Sequence, residues 1–195
     1  MIIAGVVLAG GRSRRFGRDK AREPLGGRPL IAWSLDALRP GCARLAVNGP
    51  PDLAAALDLP AVADIEAAQP GPLGGIAGAL AWAATEGCSH CLTAPCDTPF
   101  LPGDLCARLA AIIGEGPVVA ARALRRHPLC ALWRTDLAAE LAELARQPDH
   151  PPLQRLVDEI GGGWADFAEE DAFANLNTPA EFAAAAARLE AHRSR

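Results

Sequence analysis

Along the chain, short apolar runs of strand length alternate with longer segments in which apolar residues recur at helical spacing. Residues 2–8 form a nearly unbroken apolar run, the pattern of a parallel strand buried on both faces. Helical spacing over 30–38 is stopped by Pro40 and Gly41, and strand-like runs follow at 44–48 and 61–65, with a short helix at 52–57 between them. A helix over 73–85 is entered through Pro70-Gly71-Pro72 and closed near Gly87. The next strand, 91–94, runs into Pro95-Cys96-Asp97-Thr98-Pro99, and a helix over 101–113 takes Pro102 in its first turn.

Beyond residue 116 the pattern loosens. Strands at 117–121 and 129–133 flank a basic stretch (Arg122, Arg125, Arg126, His127), and so short a connection requires one of them to run antiparallel. Helices over 137–146 and 153–160 surround a proline-rich break, and 164–167 reads as a short strand. Thr178-Pro179-Ala180-Glu181 opens the last helix with a capping box and proline at the first helical position. Alternation of this kind predicts an α/β fold: a three-layer αβα, Rossmann-like arrangement with a mostly parallel sheet and one antiparallel strand. With no repeat and no low-complexity linker, residues 1–195 are expected to form one domain.

Composition narrows the function classes. Half of the residues are apolar, yet no run approaches the ~20 needed to span a bilayer. The N-terminus lacks the basic start of a secretory signal, so a cytoplasmic protein without membrane contact is expected. A net charge of −4 argues against a general nucleic-acid binder. Cys88-x-x-Cys91, with His90 and Cys96 nearby, resembles half a zinc site, but no second ligand pair is spaced to complete it. Cys91 and Cys96 lie along an apolar run, where a cysteine acts as a small hydrophobe; together with Cys42, Cys88, Cys106 and Cys130 they are expected to be reduced thiols.

Against that acidic background the run Leu8-Ala9-Gly10-Gly11-Arg12-Ser13-Arg14-Arg15-Phe16-Gly17-Arg18-Asp19-Lys20 stands out. A strand that passes into glycines and then into clustered cations is suited to hold a polyphosphate. Gly10 and Gly11 let the backbone approach phosphate oxygens, Lys20 is a candidate to neutralise them and Arg15 the next, and the alternative is a strand-to-helix turn with a solvated basic rim. It is not a P-loop, since Ala21 follows Lys20 where a hydroxyl is required, and its adjacent glycines do not match G-x-G-x-x-G. Ligands of a doubly wound sheet sit outside the carboxyl ends of the strands. That rule gathers Gly10-Gly11, Asn48-Gly49, Asp64 and Asp97 on one edge. Asp97 at a strand end facing polyphosphate suits a magnesium ligand, with phosphates and water completing the shell; the same D-T-P sequence also suits a turn or N-cap carboxylate. A carboxylate at Asp64 matches guanine, whose N1–H and N2–H₂ are both donors. Asn48 and Asp64 also have a simple turn reading.

These residues resemble the molybdenum cofactor guanylyltransferases, within the nucleotidyltransferases of glycosyltransferase-A-like fold. The first run is similar to that family's L-A-G-G-x-S-x-R-M-G-x-D-K, with Phe16 in place of methionine. Val47-Asn48, Asp64, Gly71-Pro72-Leu73-Gly74-Gly75, Pro95-Cys96-Asp97-Thr98-Pro99 and Asn175-Leu176-Asn177-Thr178-Pro179 follow in the family's order. The second glycine of L-A-G-G, with G-P-L-G-G, points to the guanylyl branch. Arg22 and Glu23 depart from it, standing where relatives usually carry apolar residues.

The resemblance implies GTP binding through Leu8, Ala9, Gly10, Gly11, Lys20, Asn48, Asp64 and Asp97, and Mg²⁺ on Asp97. It implies transfer of GMP to molybdopterin, with Asp97, Lys20 and Arg15 catalytic and Asn175 and Asn177 near the pterin or the reacting phosphates. For those asparagines an Asn-rich turn before a capped helix is the alternative. Implied partners are GTP, molybdopterin and, transiently, cofactor-synthesis or acceptor enzymes; His127 is open to the pterin phosphate or to such a partner. A cytidylyltransferase for the same pterin, a sugar-phosphate nucleotidyltransferase and a non-catalytic GTP-binding delivery adaptor share parts of the pattern. Asp97 and Lys20 together argue against the adaptor.

Overall fold

In the computed structural model of the chain, residues 1–10, 20–69 and 71–193 are described. Nine strands and seven α-helices are found among them: β1 (Ile3–Leu8), β2 (Pro24–Leu25), β3 (Arg28–Pro29), α1 (Leu30–Leu38), β4 (Arg44–Asn48), α2 (Pro51–Ala55), β5 (Ala61–Val62), α3 (Leu73–Thr85), β6 (His90–Pro95), α4 (Leu105–Ile113), β7 (Val118–Arg122), β8 (Arg126–Arg134), α5 (Ala138–Ala145), α6 (Leu153–Glu159), β9 (Gly163–Asp166) and α7 (Pro179–Arg193). None of the described helices is long and apolar enough to cross a membrane.

The main sheet has seven strands in the order β5-β4-β1-β6-β8-β7-β9. β8 runs antiparallel to both of its neighbours, and every other pair is parallel. The expected mostly parallel sheet with one antiparallel strand is therefore the observed one. Alternate residues of each strand feed two apolar layers, because successive side chains point to opposite faces. Ile3, Val7, Leu92 and Leu132 pack with Ile31 and Leu35 of α1 and Leu105 and Leu109 of α4. Ala4, Val6, Cys91 and Trp133 pack with Ile76 and Leu80 of α3, Leu141 of α5 and Val157 of α6 on the other face. Trp133 is fully buried, and its indole N–H donates to Thr93 Oγ1 at 3.1 Å, so its polar end is satisfied. Cys91 and Cys130 lie in this packing, where burial pushes their thiols well above the usual range.

A third, smaller apolar cluster lies apart from the sheet. Leu25, Leu30, Leu176 and Ala185 form it, with Trp33, Phe100, Phe182 and Leu189 against them. It joins α7 to the β2–β3 hairpin, an element the apolar pattern does not reveal because each strand contributes only two residues. Its turn is Gly26-Gly27, with φ of 60° and 83°, the left-handed pair that a two-residue hairpin demands.

Several boundaries differ from expectation. The third strand stops at Val62, so Ala63, Asp64 and Ile65 form a loop whose Ile65 N–H donates to Gly74 O at 3.0 Å. α4 begins at Leu105 rather than 101, because 96–104 is spent on turns beneath the site. β8 begins at Arg126 and absorbs part of the basic stretch. Arg122 pairs with Asp166, and Arg126 pairs with Asp158 while its guanidinium stacks over Trp164. Arg22, one of the departures from the family pattern, is part of an ion pair with Asp52.

Candidate functional site

The chain leaves β1 for β4 and β5 on one side and returns to β6 on the other, so a crevice opens above β1 where the winding direction reverses. A cavity of about 1200 Å³ occupies it. Leu8, Ala9 and Gly10 line its floor at the exit of β1, and Lys20, Asn48, Asp64, Asp97 and Asn175 line its walls. Gly11 and Arg15 lie outside the described residues.

One end of the crevice is a cluster of charged and amide groups. Lys20 opens a short 3₁₀ turn (Lys20–Arg22) and is only 5% exposed. Its Nζ donates to Asp97 Oδ2 at 2.6 Å and to Asn177 Oδ1 at 2.8 Å. Asn175 Nδ2 donates to the other carboxylate oxygen, Asp97 Oδ1, at 3.1 Å. A buried ammonium needs such a partner, since leaving it unpaired costs several kcal/mol. Asn175 and Asn177 are thus more than turn formers: they bracket the Lys20–Asp97 pair.

The carboxylate is held in place by its backbone. Cys96 N–H donates to Leu8 O at 3.1 Å, and Leu176 N–H donates to Asp97 O at 3.0 Å. Ser34 of α1, fully buried, donates its hydroxyl to Pro95 O at 2.9 Å. Asp97 is not a helix cap, because α4 starts at Leu105 and the carboxylate faces Lys20 and Asn175. Ser34 was not singled out from the sequence. Its only signal is a lone hydroxyl on the apolar stripe of a helix, where a buried polar group must find an acceptor.

The other end is built from Asn48 and Asp64. Asn48, 2% exposed at the end of β4, donates Nδ2 to Asp64 Oδ1 at 2.7 Å and to Val62 O at 3.1 Å. One amide therefore fixes both the strand end and the carboxylate beyond it. Glycines clear the space around them. A Cβ at Gly75 would lie 2.7 Å from Asn48 Oδ1, and one at Gly78 only 2.2 Å from Ala63 O. α3 approaches the Ala63–Ile65 loop backbone to backbone, which sets where Asp64 stands. Gly78→Ala is accordingly expected to lose about 1–3 kcal/mol of stability through overpacking and to weaken GTP binding as Asp64 is displaced. Urea midpoints and nucleotide titration measure the two effects; wild-type values of both would show that the loop yields freely.

His127 is held by contacts within the chain. Its ring stacks on Phe173 with centroids 4.6 Å apart, and its Nε2 lies 3.4 Å from Glu170 Oε2. It fastens the β7–β8 hairpin to the segment that leads into Asn175. Among the described residues, no three His, Cys, Asp or Glu side chains gather into a metal-binding group.

A family model described as the MobA-like NTP transferase domain matches residues 5–161. A molybdenum cofactor guanylyltransferase of Cereibacter sphaeroides is 42% identical over 193 residues, covering 97% of this chain and 98% of that protein. One from Mesorhizobium japonicum is 39% identical over 200 residues, covering 96% of each. In overall shape the chain is similar to molybdopterin-guanine dinucleotide biosynthesis protein A from Archaeoglobus fulgidus, with a TM-score of 0.72 over 97% of this chain and all of that one. At 22% identity, that likeness speaks for the fold.

Proposed function

The chain belongs to the MobA-like NTP transferase domain family, and from that premise we propose that it transfers GMP from GTP to the terminal phosphate of molybdopterin, forming molybdopterin guanine dinucleotide. The observation that carries this reading is the two-ended crevice. A carboxylate for a donor-rich base stands at one end, and a buried lysine paired with a carboxylate stands at the other. The near full-length relatives bear the name of this activity.

In the reaction a phosphate oxygen of the pterin attacks the α-phosphorus of GTP in line. A new P–O bond forms, the bond to the β-phosphoryl oxygen breaks, and pyrophosphate leaves with the electron pair. A phosphate monoester has a second pKa near ~6 and is largely dianionic at neutral pH, so no general base is needed. What the protein must supply is position and charge. Asp64, oriented by Asn48, accepts from the guanine edge and holds the nucleoside end. Lys20 neutralises charge on the departing pyrophosphate, and Gly10, at the exit of β1, leaves room for a phosphate to approach the backbone. Arg15 is proposed as a further cation.

Magnesium fits the donor set at Asp97. At the end of the crevice that holds Lys20, Asp97 is a hard carboxylate without an acidic cage among the described residues, and Mg²⁺ commonly takes one or two protein oxygens with phosphates and water. When bound, the ion would supply charge neutralisation to the triphosphate. Asn175 would steady the carboxylate that holds it.

The test is pyrophosphate release with GTP and, separately, CTP, in the presence of Mg²⁺ and molybdopterin. Acceptor-dependent release with GTP is expected. Cytosine offers acceptors at N3 and O2 where guanine offers donors, so Asp64 should disfavour CTP. Preference for CTP would overturn the guanine assignment and keep the chemistry. Tight GTP binding without any release would make the chain a delivery adaptor.

A further inference from the structure

Residues 174–178, which carry both asparagines of the site, form neither helix nor strand, so their position depends on a few fixed points. Leu176 supplies two of these, through its N–H to Asp97 O and its side chain in the small apolar cluster. The third is Glu181, on the first turn of α7 and outside the crevice. Its Oε2 accepts from Thr178 N–H at 2.7 Å and from Asn177 N–H at 2.5 Å. Glu181 N–H donates back to Thr178 Oγ1 at 3.2 Å.

A capping box accounts for the two bonds with Thr178: the helix-starting hydroxyl and the third helical residue satisfy each other's N–H. It does not require the bond to Asn177, one residue earlier. Asn177 is the residue whose Oδ1 takes a proton donor of Lys20. An ammonium has three N–H donors; among the described residues Asp97 and Asn177 take two of them, and the third is the one a phosphate oxygen would take.

We propose that Glu181 is a positioning residue for the transfer reaction: its carboxylate fixes Asn177, and Asn177 fixes the direction in which Lys20 offers its remaining N–H. The carboxyl of Glu181 is held below the usual range, first by the Asn177 N–H, then by Thr178, and last by the field of Lys20. The proposal rests on the transferase reading for its consequence, while the linkage itself concerns nucleotide binding as well as turnover.

Thr178 provides the matched control, because Thr178→Ala removes half of the capping box without touching the bond to Asn177. The experiment measures kcat, KM for GTP, GTP affinity by titration and thermal stability for wild type, Glu181→Ala, Glu181→Gln, Thr178→Ala, Asn177→Ala and the Glu181→Ala/Asn177→Ala double variant. Glu181→Ala is expected to lower kcat roughly ten- to hundredfold, as misplacement of a catalytic group does, and to weaken GTP binding. Thr178→Ala should lose comparable thermal stability and keep both. Glu181→Gln retains an oxygen for the two N–H groups and should recover most of kcat. The double variant should fall no further than the worse single one, since both substitutions cut one linkage.

Equal kcat losses in Thr178→Ala and Glu181→Ala would reduce Glu181 to a helix cap and overturn the proposal. So would additive losses in the double variant, or wild-type kcat and GTP affinity in Glu181→Ala. If wild type itself releases no pyrophosphate, the transferase reading fails. GTP affinity then decides the linkage: weakened in Glu181→Ala and intact in Thr178→Ala if it holds.

Discussion

Asp97→Ala is expected to cut GTP-dependent pyrophosphate release by at least about 10²-fold, the scale of losing one preorganised charge-stabilising group, with the fold retained at a stability lowered by the loss of Lys20's partner. The side chain sits at a turn held through backbone groups: Cys96 N–H on Leu8 O, Leu176 N–H on Asp97 O, and the Ser34 hydroxyl on Pro95 O. None of these contacts uses the carboxylate. What the substitution removes is the partner of Lys20 and the proposed magnesium ligand.

A second measurement separates those two losses. Lys20 is paired with Asp97, so a phosphate must draw it away from that carboxylate or share it. Asp97→Asn keeps the volume and removes the charge, so Lys20 is released toward phosphate. GTP binding in the absence of divalent cations should then tighten relative to wild type, while turnover with Mg²⁺ stays low. Unchanged or weaker metal-free binding in Asp97→Asn would show that the ion pair does not compete with the nucleotide. Wild-type turnover in Asp97→Ala would remove the carboxylate from the chemistry altogether.

Lys20→Met should be nearly as damaging, with kcat lower by about 10²–10³-fold. Methionine keeps an unbranched chain in a nearly fully enclosed position and deletes the cation, so Asp97 is left facing the crevice with Asn175 as its remaining donor. Lys20→Arg should not rescue. The guanidinium is planar and larger than an ammonium, and it would have to meet Asp97 Oδ2 and Asn177 Oδ1 in a space shaped for a compact point charge. Rapid-quench or coupled pyrophosphate assays at saturating GTP report the effect on kcat. Near-normal turnover in Lys20→Arg would show that net charge, rather than the position of the donors, is what the site supplies.

Much of this arrangement is legible in the sequence. The alternation of apolar runs led to the layered α/β architecture, because a strand buried on both faces and a helix with one apolar stripe leave different traces. The rule that ligands lie beyond the strand ends then put Gly10, Asn48, Asp64 and Asp97 on one edge, where the cavity lies. Boundaries fared less well wherever the chain obeys contacts rather than periodicity. Asp64 was read as a strand end but stands on a loop, because the close approach of α3 at Gly74 and Gly78 and the donation from Asn48 hold it there without a sheet partner. In the sequence 122–127 is a basic stretch on which His127 is open to the pterin phosphate or to a partner. Asp158, Asp166 and Glu170, distant in sequence, turn it into a pinned hairpin.

The sequence by itself determined which chemical groups this protein owns and on which edge of a sheet they appear, since residue order and local periodicity dictate strands, helices and their ends. Only the tertiary structure decided what those groups do to one another. Lys20 meets Asn177 across 157 positions of sequence and Asp97 across 77. No local pattern encodes such a contact, because it exists only after α7 and the β2–β3 hairpin have closed their own small apolar cluster beside the sheet. The same closure turns Glu181 from a helix cap into a group with a grip on the site.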